Sequence, residues 1–127
     1  TVGLIPWPVE MADAFRSWCA PYSEDDPKLY FDAQIFESAL TGYFSMMKEH
    51  WTSEEKNALV PAIETICMEL SVRFLADALS ENYFGFDAGK YPARGEHNLA
   101  RAQGQWALCC SVRSQRKALQ RIVDSLS

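Results

Sequence analysis

Apolar residues recur at helical spacing along most of the chain. Val9, Ala12, Phe15 and Cys19 fall on one face, and Pro21 ends that run. From Ala33, the pairs Ile35/Phe36 and Ala39/Leu40, then Tyr43 and Met46/Met47, make a second amphipathic stripe that closes near His50. A third tract buries Ile63, Ile66/Cys67, Leu70, Phe74 and Ala78. The last carries Leu99, Ala102, Trp106, Cys109, Val112, Leu119, Ile122 and Leu126. Alternation with a period of two is almost absent, so the pattern predicts an all-α fold.

Local signals set the expected boundaries. Thr1 to Pro8 is punctuated by Gly3, Pro6 and Pro8, which predicts an extended loop anchored by Trp7. Leu29, Tyr30 and Phe31 form a short extended piece before Asp32, a good N-cap for the second helix. Thr52-Ser53-Glu54-Glu55 reads as a capping box, in which the Thr52 hydroxyl and the Glu55 carboxylate each satisfy an orphan N–H. Pro61 predicts a break, with a short helix before it and a new helix that holds Pro61 in its first turn. Residues 82–96 read as a long aromatic loop rich in Gly and Pro, after which Asn98 is placed to cap the final helix.

Composition narrows the class. At 127 residues and 48% hydrophobic, the chain fits one helical domain over residues 1–127 with a continuous core. A formal net charge of −5 argues against nucleic-acid and anionic-membrane partners, which need a concentrated positive field. The basic cluster Arg113, Arg116, Lys117 and Arg121 reads as a solvated helix face. No run approaches the ~20 apolar residues of a membrane span, and no signal peptide opens the sequence. Cys19, Cys67, Cys109 and Cys110 make no C-x-x-C pair, and His50 and His97 lie far from metal-ligand spacing. Reduced thiols, no metal site and a cytoplasmic location are the expectations.

Three polar groups sit where burial is expected. Asp13 and Arg16, at i, i+3 among Trp7, Phe15 and Trp18, are either a surface ion pair or a carboxylate that receives specific hydrogen bonds. Arg73 and Asp77, at i, i+4, either pair with each other or leave the guanidinium fork for a carboxylate, phosphate or sugar hydroxyl. The tract Tyr83-Phe84-Gly85-Phe86, Lys90-Tyr91-Pro92 and His97-Asn98 either packs over the core or lines a pocket. His97 there is a general base or a loop-packing side chain. Gly-rich phosphate loops, G-x-S-x-G, H-E-x-x-H and EF-hand spacing are all missing from the sequence.

The tract Arg73-Phe74-Leu75-Ala76-Asp77-Ala78-Leu79, the pair Tyr83-Phe84 and the tract His97-Asn98-Leu99-Ala100-Arg101-Ala102-Gln103 resemble a C-terminal signature. It belongs to the aminoglycoside phosphotransferase and choline kinase-like superfamily, closest to its N-acetylhexosamine kinase-like sugar kinase branch. Thr1-Val2-Gly3 and Asp13-Ala14-Phe15-Arg16-Ser17 resemble the turn and helix that come earlier in that family. The resemblance implies the helical C-terminal part of a kinase C-lobe, without the ATP-binding N-lobe, the catalytic aspartate or the metal ligands.

Several expectations follow from that resemblance. The chain alone carries no catalytic residue, metal or cofactor and is inert, while ATP and Mg²⁺ serve the parent protein. Arg73 and Tyr83 face a small-molecule acceptor, a sugar or amino alcohol. Asp13 supports the catalytic loop. The partners implied are the missing N-terminal kinase segments. Apolar side chains left uncovered around Trp7, Phe15 and Trp18 predict a homodimer. The rival reading is a stand-alone all-α interaction module without catalytic activity.

Overall fold

In the computed structural model the described residues are 7–47, 50–80, 87–91 and 93–126. They form five helices: α1 (Trp7–Trp18), α2 (Ala33–Met47), α3 (Ser53–Ser80), α4 (Arg94–Ser114) and α5 (Arg116–Asp124). No strand occurs among the described residues. The fold is all-α, and α3 is its spine, with α1 and α4 packed along it.

Two expected caps are realised. Asp32 Oδ1 accepts the N–H groups of Gln34 (2.9 Å) and Ile35 (3.1 Å) at the start of α2. At α3 the Glu55 N–H donates to Thr52 Oγ1 at 3.1 Å, and Glu55 Oε1 accepts the Thr52 N–H at 3.0 Å. The short piece before α2 is strapped to the α4–α5 junction. Phe31 N–H donates to Ser111 Oγ (2.9 Å), and Gln115 Nε2 donates to the Phe31 carbonyl (2.8 Å).

The core joins α1, α2, α3 and the C-terminal helices through Phe15, Phe31, Phe36, Leu40, Leu59, Ile63, Leu108 and Leu119, all at most 1% exposed. Trp7 stacks edge-on against Trp51 at 4.2 Å between ring centres and leans on Tyr43. Cys19, Cys67 and Cys109 are buried free thiols, whereas Cys110 is exposed. Burial, and after it the Asp32 charge, pushes the Cys19 thiol up to about 12.

Several expected boundaries are corrected. The helix continues through Pro61 as one 28-residue element. A proline inside a helix removes one ladder bond, at a cost of about 3 kcal/mol. Here Pro61 and Asn57, whose carbonyl loses its partner, are both exposed to water, while Leu59, Val60 and Ile63 are sealed in the core. Packing of these neighbours outweighs the local signal. Trp7 and Pro8 already belong to α1, because a missing N–H costs nothing in a first turn. The expected C-terminal helix is two helices, separated at Gln115. Asn98 lies inside α4 and caps nothing, since that helix starts four residues earlier.

Burial also departs from the simple stripe. Leu99 and Trp106 are 43% and 48% exposed, whereas Gln105 and Leu108 are fully buried. Phe15 is fully buried although an uncovered position was expected; of its neighbours Trp18 is exposed and Trp7 partly so.

Candidate functional site

Asp13 lies on the second turn of α1. Its Oδ1 accepts two hydrogen bonds from Arg16, from Nε at 2.9 Å and Nη2 at 2.7 Å. The carboxylate is 57% exposed, and its Oδ2 has no partner among the described residues. The ion-pair alternative is therefore the geometry present, with one acceptor oxygen left over. Both charges lie close enough to α3 to act on the Cys67 thiol, which burial above all pushes up to about 12.

Arg73 lies on α3 with its side chain 46% exposed. Its described ion pair is with Glu69, one turn back, at 3.3 Å. Of the two alternatives, pairing with Asp77 is not among the described contacts. Asp77 is 3% exposed and its Oδ2 accepts a 2.6 Å hydrogen bond from Asn98 Nδ2 on α4. A buried carboxylate needs a donor, and Asn98 supplies it at the expense of the capping role that its position suggested. Asn98 Oδ1 in turn accepts from Arg101 Nη1 at 3.0 Å, and the Arg101 guanidinium sits 5.6 Å from the centre of the Phe74 ring. Phe74, Asp77, Asn98 and Arg101 thus form one cluster between α3 and α4. Tyr83 and Phe84 lie outside the described residues.

A second cluster ties loop to helix. The Asp25 carboxylate, 7% exposed, meets His97 Nε2 at 3.0 Å and Lys90 Nζ at 3.2 Å, and accepts the Ser23 hydroxyl at 2.7 Å. On the other side of the ring, His97 Nδ1 accepts the Asp87 N–H at 2.9 Å. That backbone donor sets the tautomer, so Nε2 carries the proton and donates to Asp25. Tyr91 stacks on the imidazole, ring centres 4.3 Å apart and 10° from parallel. Both ring nitrogens are committed, and His97 has no lone pair left for general-base work. Its role is to hold the 20–32 loop and the 87–91 turn to α4. Burial raises the Asp25 pKa, but the Ser23, Lys90 and His97 contacts outweigh it and hold the carboxyl down to about 2.

The same loop runs hard against Gly104. A methyl group there would overlap the backbone carbonyl of Glu24, so only glycine permits this crossing. Beside the crossing, Arg16, Ser17, Tyr22, Glu24 and Gln105 border a cleft of about 260 Å³. The chain pattern did not single out Asp25, Gly104 or Gln105. Asp25 sits between two other acids, Glu24 and Asp26, and a lone glycine inside an apparent helix carries no mark of what crosses it.

Asp13 and Arg73 thus stand on different helices with separate partners, Arg16 and Glu69. Among the described residues no group of three or more His, Cys, Asp or Glu side chains is arranged to hold a metal ion. No helix among them is long and apolar enough to cross a membrane. No family model matches the sequence.

Proposed function

We propose that this chain is the acceptor-binding, C-terminal helical part of an ATP-dependent phosphotransferase that acts on a small sugar or amino alcohol. The observation that carries the reading is the meeting of the two tracts on which the kinase resemblance rests. Phe74 and Asp77 of the first join Arg101 and Asn98 of the second, with the Asn98–Asp77 bond at 2.6 Å. Residues 21 positions apart in sequence thereby act as one rigid support, and Arg73 stands on the adjoining turn, 46% exposed. A rigid support beneath a half-exposed guanidinium suits recognition of hydroxyl or amino-alcohol oxygens by a planar donor fork.

In this reading Arg73 donates to the acceptor, and Tyr83 is assigned to the same acceptor by the family resemblance. The Oδ2 of Asp13, without a partner among the described residues, accepts backbone N–H groups from a catalytic loop carried by preceding kinase segments. ATP and Mg²⁺ belong to those segments and supply the phosphoryl group and the neutralisation of its charge. This chain's own contribution is to place the acceptor and brace the loop, which by itself transfers nothing.

The experiment pairs two proteins. The 127-residue chain, titrated with Mg-ATP by calorimetry, is expected to give no saturable heat and to phosphorylate no sugar or amino alcohol. The longer chain that carries the kinase segments is expected to turn over a member of that panel. Saturable micromolar binding by the short chain, or a longer chain silent on the whole panel, would sink the reading. The rival, a stand-alone interaction module, draws on one specific feature, an uncovered apolar strip along α3 and α4.

A further inference from the structure

The outward faces of α3 and α4 carry a pattern that the bundle does not use. Met68, Val72, Leu75 and Leu79 follow one another at intervals of four, three and four residues. On α4, Leu99, Gln103, Trp106 and Cys110 repeat the same intervals. This is the spacing by which one helix presents a seam to another. The two helices run antiparallel, with Glu64 bonded to Arg113, Ser71 to the Ala102 carbonyl and Asp77 to Asn98. Their seams therefore lie side by side.

The seam faces water. Val72 is 60% exposed, Leu75 48%, Leu79 85%, Leu99 43% and Trp106 48%. Two grooves of about 350 Å³ each run along it and share Leu75 and Leu99. Among the described residues, Glu96 is the one charged residue that borders either groove. With full side-chain areas of about 150–250 Å², these exposures leave roughly 500 Å² of apolar surface in one strip, at the upper end of what monomers show.

We infer that this strip is a homodimer interface, in which the α3–α4 pair of one chain packs across the same pair of a second to make a four-helix layer. A two-fold contact needs a patch complementary to itself, and a mostly apolar strip of helical seams is one. Two such strips bury about 1,000 Å² of apolar area before their polar margins are counted, the threshold that a biological interface has to clear. The acceptor side stays open. Arg73 and Leu75 are two residues apart on one helix, about 200° round its axis, so the dimer covers one flank and leaves the other. The inference does not depend on the phosphotransferase reading. It also moves the expected self-association away from Trp7, Phe15 and Trp18.

Sedimentation and thiol labelling of the full 127-residue chain test it together. Cys110 is the exposed thiol and lies on the seam, while Cys19, Cys67 and Cys109 are buried with raised pKa values and react slowly. The wild-type chain is expected to sediment as a dimer at tens of micromolar, with Cys110 labelled about tenfold more slowly than in dilute solution. A Val72→Glu, Leu75→Glu variant should keep its helical circular dichroism, sediment as a monomer and label at the dilute rate at every concentration. A monomeric wild type overturns the inference and assigns the strip to another protein or to a further part of a longer chain. A dimer that survives the double substitution, or that leaves Cys110 unprotected, overturns it too, because the contact then lies on another face.

Discussion

Asp25 and His97, 72 residues apart in sequence, meet at 3.0 Å and lock the loop before α2 onto the start of α4. The acid of this pair carries a pH dependence whose sign is fixed. Its carboxyl titrates at about 2 in the folded protein, against 3.8 for an unperturbed aspartate. A depressed carboxylate contributes stability that is fully present above its unfolded pKa and is lost as pH falls toward its folded value.

The contribution of Asp25 at neutral pH is therefore on the order of 2 kcal/mol and fades between about pH 5 and 2. Asp25→Asn should lose about that much stability at pH 7 and show a flatter stability profile across the acid range. Urea unfolding at a series of pH values measures both. A variant as stable as wild type at pH 7, with the same acid slope, would show that the contact contributes nothing.

The helical class, the caps at Asp32 and Thr52 and most of the core were legible because each is written within one turn of the chain. Phe36, Leu40, Ile63 and Cys67 fall on the expected faces. What escaped depends on residues far apart. Pro61 reads as a break until Leu59, Val60 and Ile63 are seen to be sealed around it. Asn98 reads as a cap until the buried Asp77 claims it. Leu99 and Trp106 read as core, but α3 packs on the other side of α4, where Gln105 and Leu108 are buried instead. Of the candidate site, Asp13, Arg73 and His97 were visible as unusual polar residues. Which partner each would choose was not, since an i, i+4 spacing serves Glu69 and Asp77 equally.

Gly104 offers a test of the loop crossing. In an exposed helix, glycine to alanine stabilises by about 1 kcal/mol through helix propensity. At this position the new methyl group meets the backbone of Glu24, which cannot swing aside as a side-chain tip would. Overpacking of this kind costs roughly 1–3 kcal/mol, so it should win. Gly104→Ala is expected to lower the melting temperature and to speed amide exchange in residues 22–28. A rise in melting temperature would mean that the loop yields freely at this crossing.

The central proposal, that Arg73 serves an acceptor rather than the fold, is tested most directly by comparing Arg73→Ala with Asp77→Ala in the longer phosphotransferase proposed above. Arg73 is half exposed and its described ion pair with Glu69 is a surface one, so losing that pair costs at most about 1 kcal/mol and the variant should stay folded. Asp77 is buried and bonded, and its loss should lower the melting temperature by several degrees. Acceptor kcat/KM separates the two accounts. Loss of a charge-assisted hydrogen bond, worth about 1.5–3 kcal/mol, predicts a fall of about ten- to a hundredfold for Arg73→Ala with the ATP KM unmoved. Wild-type acceptor kcat/KM in a stably folded Arg73→Ala enzyme would contradict the account.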